Sequence, residues 1–153
     1  NNTIVGNAGS DEILGELGND FLANYGDSET DTLTGGGGID TFSVVEFGRN
    51  NLQYNDGYST KFELDFLDGI IDNILGCSGS YAYLSDFDDD IDKILVLNNK
   101  EDYFIYKTIN PFGAGTVDGL YHRKEVGLTY QYELLAISDT ISKGSLLEFK
   151  VDS

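Results

Sequence analysis

Aspartate and glycine recur at a fixed spacing near the start of the chain. The stretch "GNAGSDEILGELGNDFLA" (residues 6–23) has a period of nine, with a glycine, a second glycine three residues on, and then an aspartate. Continued in both directions, the aspartate position is held at steps of nine, nine, eleven and nine residues by Asn2, Asp11, Asp20, Asp31 and Asp40. Carboxylates that recur beside glycine turns have the chemistry to form an oxygen-rich cage for a hard cation.

An apolar residue follows each aspartate position after one intervening residue. These apolar residues are Ile4, Ile13, Leu22, Leu33 and Phe42. A nine-residue unit is too short for a helical hairpin but fits a glycine turn and a strand of about three residues. Two units complete one coil, so units two apart are stacked neighbours and each apolar side chain is buried only against the next coil.

Stacking also brings the aspartates together. Asp11 is expected above Asp31, and Asp20 above Asp40, where their like charges repel. Glycine loops that turn carbonyl oxygens inward complete an all-oxygen cage, and calcium takes about six to eight oxygens in flexible geometry. Zinc prefers nitrogen or sulfur, and residues 1–43 contain no histidine or cysteine. The spacing therefore predicts calcium ions between successive coils.

The repeat resembles the nonapeptide GGxGxDxUx of the RTX (repeats-in-toxin) family, whose members form a calcium-loaded parallel β-roll. The unit "GGGGIDTFS" (residues 35–43) fits at every defined position, while Asn7 and Glu16 replace the second glycine of two other units. That replacement is tolerable because the position donates a backbone carbonyl. A periodic acidic linker is the alternative, but it has no reason to keep both the aspartate and the apolar position over five units.

The resemblance implies which residues bind calcium. One loop supplies carbonyls from its second and fourth positions and its aspartate, and the loop two units later supplies carbonyls near its first and third positions and its own aspartate. One implied site consists of Glu16, Gly18, Asp20, Gly35, Gly37 and Asp40. A second implied site consists of Asn7, Gly9, Asp11, Gly26, Ser28 and Asp31. Its later loop departs from the pattern, with Glu29 at the fourth glycine, and a third site between Asn2 and Asp20 is incomplete.

The net charge of the chain limits which kinds of molecule it can bind. The chain has 27 acidic and 9 basic residues, for a net charge of −18, and residues 1–43 hold eight acidic residues without any lysine or arginine. Such a chain attracts cations and repels nucleic acid and anionic membranes. The sequence contains neither a signal-peptide pattern nor an apolar run of about 18 residues. We therefore expect calcium ions as partners, with neither nucleic-acid binding nor membrane insertion.

The shift in charge and glycine content predicts a boundary near Ser43, between a roll (1–43) and a C-terminal region (44–153). The second region is rich in β-branched and aromatic residues with alternating patterns. Its predicted strands are residues 61–67, 80–84, 92–97, 102–109, 127–137 and 145–151, and residues 66–75 fit either strands or a short helix. The predicted fold class is all-β: a short right-handed parallel β-roll followed by a mainly antiparallel cap.

Two stretches of this region also resemble the cap that follows the repeats in serralysin-like RTX proteins. They are "YLSDFDDDIDKILVL" (residues 83–97) and "ELLAISDTI" (residues 133–141). Such a cap has a physical purpose, because an open coil end exposes apolar side chains and unpaired strand edges.

The remaining candidate residues give no catalytic constellation. Asp88, Asp90 and Asp92 resemble the start of an EF-hand loop, but Lys93 and Asn99 stand where that loop needs glycine and glutamate. A solvated acidic turn is the favoured interpretation, and an auxiliary cation site is the alternative. The only histidine (His122) is expected at the surface and the only cysteine (Cys77) in a buried position, so we expect no enzyme activity.

These observations predict an extracellular module that binds calcium and folds after export, with a structural, surface or assembly role. The RTX resemblance implies export through a type I secretion channel. The alternative is the C-terminal folding and secretion domain of a larger secreted protease or lipase. Because the chain starts within a repeat, we expect the first coil to stack on upstream sequence of a parent protein or on a second copy.

Overall fold

The computed structural model describes residues 1–23, 30–46, 51–52, 70–71 and 81–151. These residues form strands joined by turns, with two short 3-10 helical turns at Lys100–Asp102 and Lys143–Ser145. The strands are β1 (Thr3–Val5), β2 (Glu12–Leu14), β3 (Phe21–Ala23), β4 (Thr30–Thr34), β5 (Thr41–Ser43), β6 (Val45–Glu46), β7 (Asn51–Leu52), β8 (Ile70–Ile71), β9 (Tyr81–Leu84), β10 (Lys93–Leu97), β11 (Tyr103–Ile109), β12 (Thr116–Val126), β13 (Thr129–Ser138) and β14 (Leu146–Phe149). The all-β prediction is confirmed.

Successive repeat strands alternate between two parallel sheets. Strands β1, β3 and β5 lie side by side in one sheet, and β2 and β4 lie side by side in the other. The register places Phe21 opposite Thr41 and Glu12 opposite Thr32. Repeat units two apart are therefore stacked neighbours, as the nine-residue period predicts.

The apolar position of each repeat points into the space between the two sheets. Leu22, Leu33 and Phe42 are fully buried and Ile13 is 5% exposed, all in one hydrophobic cluster. Ile4, in the first coil, packs against this cluster but is only partly buried. A strand of three residues contributes one such side chain, so burial of each depends on the coil stacked beside it.

Both sheets of the roll continue beyond Ser43. Strand β10 pairs parallel with β5, and β14 pairs parallel with β10. In the other sheet β9 pairs parallel with β4, and β13 pairs parallel with β9. The sheet orders are β1-β3-β5-β10-β14 and β2-β4-β9-β13-β12-β11-β8. The first C-terminal strands therefore extend the roll before the chain turns to antiparallel pairing.

Strands β11, β12 and β13 form an antiparallel meander with long registers. Strand β12 (residues 116–126) was not among the predicted strands, whereas β9, β10, β11, β13 and β14 fall on predicted segments. His122 lies on β12 and is half-buried, with its ring centre 5.0 Å from that of Tyr103, so it is less exposed than a surface histidine would be. The predicted strand at 61–67, most of residues 66–75 and Cys77 lie outside the described residues.

Among the described residues, the structure contains no helix that is long and apolar enough to span a membrane.

Candidate calcium site

The loops before β3 and β5 stack directly on each other. The Gly18 amide donates to the Gly37 carbonyl at 2.8 Å, and the Gly37 amide donates to the Glu16 carbonyl at 2.7 Å. At the ends of these loops, the Asp20 amide donates to Oδ1 of Asp40 at 2.8 Å. The two stacked loops thus bring together residues that lie about one coil apart in the sequence.

Only glycine fits at two positions of the later loop. A Cβ atom added to Gly36 would lie 1.9 Å from the Glu16 carbonyl oxygen, and one added to Gly38 would lie 2.1 Å from the Gly18 carbonyl oxygen. Both glycines also have positive φ angles, of 96° and 138°. The carbonyl oxygens of Glu16 and Gly18 therefore point into the space between the loops, where glycine leaves room for them.

The carboxylate of Asp20 is buried and only half satisfied. Asp20 is 2% exposed. Its Oδ1 accepts a hydrogen bond from the Asn2 amide, whereas its Oδ2 has no hydrogen-bond partner. A Cβ atom added to Gly15 would lie 2.9 Å from this Oδ2 and 2.5 Å from the Gly35 carbonyl oxygen. A buried carboxylate oxygen without a partner is costly, and a bound cation would remove that cost.

Neighbouring carboxylates repel each other along this side of the roll. Asp40 is 1% exposed, and burial raises the pKa of its carboxyl above the usual value. The Asp20 backbone amide opposes this rise by donating a hydrogen bond, while the negative charges of Asp92, Asp20 and Asp86 raise the pKa of Asp40 further. Three of these four carboxylates (Asp20, Asp40 and Asp92) are buried, and like charges this close favour a cation, which would stabilise the ionised carboxylates.

The second predicted site is only partly within the described residues. The Asp11 amide donates to Oδ1 of the fully buried Asp31 at 2.8 Å, and Oδ2 of Asp11 accepts from the Asn7 amide at 3.2 Å. Gly9 turns the loop with a φ of 118°. Gly26 and Ser28 lie outside the described residues. The aspartates of this side repeat the stacking of Asp20 on Asp40.

The donor chemistry fits calcium. Within the described residues, no three histidine, cysteine, aspartate or glutamate side chains are grouped as a metal site. The loops instead offer main-chain carbonyls and paired aspartates, which are all oxygen donors, and calcium binds such mixed oxygen sets. The residues around Asp20 and Asp40 therefore fit a calcium ion, and they lack the nitrogen or sulfur ligands that zinc prefers.

Sequence reasoning missed two residues of the acidic turn that contact the roll. Asp92 is 4% exposed, and its carboxylate accepts the amides of Asp40 and Asp88, each at 2.9 Å. The carboxylate of Asp86 accepts the amides of Gly35 at 2.8 Å and Gly36 at 2.7 Å. The interpretation of this stretch as a solvated turn is therefore wrong for the buried Asp92, whereas Asp86 is exposed although its carboxylate binds the roll.

A signal for Asp92 was present in the sequence. Asp92 and Ile94 repeat the aspartate and apolar positions of the nonapeptide, and Ile94 pairs in register with Phe42. The residues before Asp92 lack the glycines of the nonapeptide, so this unit was not recognised in the sequence. Asp86 has no such spacing, so only the fold brings it to the loop.

Stacked coils, inward carbonyls and paired aspartates define a calcium-binding parallel β-roll. The family model of the RTX calcium-binding nonapeptide repeat matches the chain at residues 1–23 and 25–43, with four copies. The repeats at residues 1–23 and 25–43 therefore match the RTX calcium-binding nonapeptide repeat, as their spacing predicts.

One solved structure matches the chain only distantly. It is the solution structure of the AlgE6R3 subunit from the mannuronan C5-epimerase of Azotobacter vinelandii, with a TM-score of 0.46 and 19% sequence identity. The match covers 95% of this chain and 77% of that one. Among curated proteins, none matches this chain significantly.

Proposed function

We propose that the roll is an extracellular module that folds when calcium binds between its coils. One ion is held by the carbonyls of four residues and the carboxylates of two, which are Glu16, Gly18, Gly35, Gly37, Asp20 and Asp40. A second ion is held by the corresponding set on the other side, which is Asn7, Gly9, Gly26, Ser28, Asp11 and Asp31. The observation that carries this proposal is the buried, unpartnered Oδ2 of Asp20 beside the Gly35 carbonyl.

Calcium would supply the positive charge that residues 1–43 lack. Extracellular calcium modules bind with dissociation constants of about 10⁻⁴–10⁻³ M, so such sites are empty in the cytosol and filled outside the cell. Tenfold excess of calcium over the dissociation constant adds about 1.4 kcal/mol of stability per site. Sites of this strength would keep the roll unfolded during export and fold it afterwards. The role that follows is structural, at a surface or in an assembly, without catalysis.

A calcium titration tests this proposal. Circular dichroism of the whole chain should gain β-structure between chelator and millimolar calcium, and calorimetric titration should give the number of ions bound. Magnesium at the same concentration is the control, because its strict octahedral geometry suits this cage poorly. Identical spectra in chelator and in calcium would contradict the proposal.

We also propose that another coil or a second copy covers the first coil. Within the described residues, β1 and β2 are the edge strands of their sheets, and Val5 and Leu14 are 40% and 55% exposed. An edge strand with exposed apolar side chains readily pairs with another chain. Light scattering in calcium and in chelator would detect self-association. A strictly monomeric particle with residues 1–10 protected from hydrogen exchange would contradict a second copy as the cover.

A further inference from the structure

The carboxylate of Asp86 binds two consecutive amides of the last glycine loop. Its Oδ1 accepts the Gly35 amide at 2.8 Å and its Oδ2 accepts the Gly36 amide at 2.7 Å. Hydrogen bonds to an ionised acceptor are stronger than those between neutral groups, and two parallel bonds also fix orientation. Asp86 therefore holds the start of this loop in one orientation.

Fixing these amides also fixes a carbonyl of the proposed calcium site. The Gly36 amide and the Gly35 carbonyl belong to one planar peptide unit and point in opposite directions. When Asp86 holds the amide from one side, the Gly35 oxygen points to the other side. That side is the space beside Gly15, where the unpartnered Oδ2 of Asp20 also lies.

The turn that carries Asp86 is itself anchored at several points. Its first residue, Ser85, donates its amide to the Leu33 carbonyl at 3.0 Å. Asp89 accepts the Ser142 amide at 2.6 Å, and Asp92 accepts the Asp40 amide at 2.9 Å. Asp86 is thus presented by a fixed segment rather than by a free loop. A residue that orients a metal ligand must itself be held in place, as the hydrogen bonds of this turn hold Asp86.

We propose that Asp86 is a positioning residue for the calcium site formed by Glu16, Gly18, Asp20, Gly35, Gly37 and Asp40. It aims the Gly35 carbonyl at the ion without binding the ion itself. This inference rests on the proposed calcium ligands. It makes calcium affinity on this side of the roll depend on a residue from the segment after β9, whereas the site around Asp11 and Asp31 is independent of Asp86.

The test compares Asp86→Asn with Asp90→Asn in the full chain. Both substitutions remove one negative charge from an exposed residue of the same turn. The Asp86 carboxylate accepts two amides of the roll, whereas the amide of Asp90 bonds locally to Asp88. An asparagine at position 86 has one acceptor oxygen, and its NH₂ group would face a backbone amide. Terbium replaces calcium as the probe, because its luminescence lifetimes in H₂O and D₂O count the waters bound to the ion.

We expect Asp86→Asn to weaken one terbium site by roughly tenfold or more and to add bound water at that site, because loss of an outer-shell partner misorients a ligand. Asp90→Asn should match the wild type in both readouts. If Asp86→Asn gives wild-type affinity and hydration while only lowering the melting temperature, Asp86 is merely structural and the inference is overturned.

A second variant keeps the proposal testable if Asp86→Asn does not fold. Asp86→Glu keeps both acceptor oxygens but moves them by one methylene group, so we expect an affinity between those of the wild type and Asp86→Asn, and wild-type affinity and hydration would overturn the inference. If the wild type itself binds neither calcium nor terbium, the proposed function fails instead.

Discussion

The roll and the antiparallel meander of β11, β12 and β13 obtain order in different ways. Repeat strands such as β2 and β3 have three residues and bury one or two side chains each, whereas β11, β12 and β13 have 7, 11 and 10 residues. The meander holds its own cluster of buried residues around Tyr121, Tyr132, Leu134 and Ile137. A long strand with many cross-strand pairs is stabilised within its sheet, but a three-residue strand depends on the coils beside it.

The two regions also differ in how charge is balanced. In the meander, the Lys107 ammonium pairs with the buried Asp118, and the Arg123 guanidinium lies 4.4 Å from the Phe104 ring centre and 4.5 Å from that of Tyr130. Residues 1–43 have no lysine or arginine to do this. The meander carries its own cationic side chains, whereas residues 1–43 carry none. This difference predicts that calcium controls one region far more than the other.

Removal of calcium should therefore have the largest effect, and it should be confined mainly to the roll. In chelator we expect residues 1–43 to lose hydrogen-exchange protection because their acidic residues are uncompensated. Residues 103–138 should keep most of their protection, since their aromatic cluster and the Lys107–Asp118 ion pair need no metal. Hydrogen exchange measured by mass spectrometry resolves the two regions. Equal loss of protection in residues 1–43 and residues 103–138 would show that the roll and the meander fold as one unit. The proposed difference in their dependence on calcium would then be wrong.

Gly36→Ala should have the next largest effect. The new Cβ would lie 1.9 Å from the Glu16 carbonyl oxygen, so the stacked loops would have to separate. We expect loss of calcium binding at this site, measured by calorimetric titration. Gly115→Ala is the matched control, because Gly115 has a φ of 88° but open space around its Cβ position. If both variants bind calcium equally well, close packing of the loops is not required.

The sequence was a good guide where the chain is periodic. The aspartate and apolar positions predicted the coil register, and the observed pairing of Leu22 with Phe42 follows it. Periodicity works here because one side chain per strand must meet its equivalent in the next coil. The sequence was a poor guide at β12, where Asp118, Gly119 and a run of charged residues interrupt the apolar alternation. The sequence also contained no sign of the role of Asp86. Its carboxylate binds two backbone amides, and any residue except proline has a backbone amide N–H, so no sequence pattern marks this contact.

Asp20→Ala should weaken calcium binding at least ~tenfold, because it removes a charged ligand and leaves Asp40 to face the ion with fewer oxygens. Asp88→Ala is the control from the acidic turn. The Asp88 carboxylate accepts the Asp90 amide at 3.1 Å within that turn, so its loss should leave the affinity of the roll nearly unchanged. Calorimetric titration of the two variants compares them directly. Equal losses would mean that the ligands are not where the repeat implies.

Glu16→Gly should have the smallest effect and the opposite sign. Glu16 has a φ of 75°, a conformation that costs a side-chain-bearing residue about 1–2 kcal/mol, while glycine loses more entropy on folding, about 0.5–1 kcal/mol. We expect a net gain of about 0.5–1 kcal/mol in the free energy of unfolding in calcium. Calcium affinity should stay unchanged, because the proposed ligand is the backbone carbonyl, which glycine keeps.

Two controls separate strain from charge at this position. Glu16→Gln removes the charge and keeps the strain, so it should not reproduce the gain. Asn98→Gly changes a residue with a similar positive φ of 63° after β10, outside the repeats, but asparagine tolerates this conformation better than glutamate and its Oδ1 accepts the Val151 amide, so we expect a smaller gain or none. Denaturant titration measures stability, and calorimetry measures affinity. A clear loss of calcium affinity in both Glu16→Gly and Glu16→Gln would show that the carboxylate itself binds the ion. The roll would then hold calcium partly through a side chain that the repeat pattern does not require.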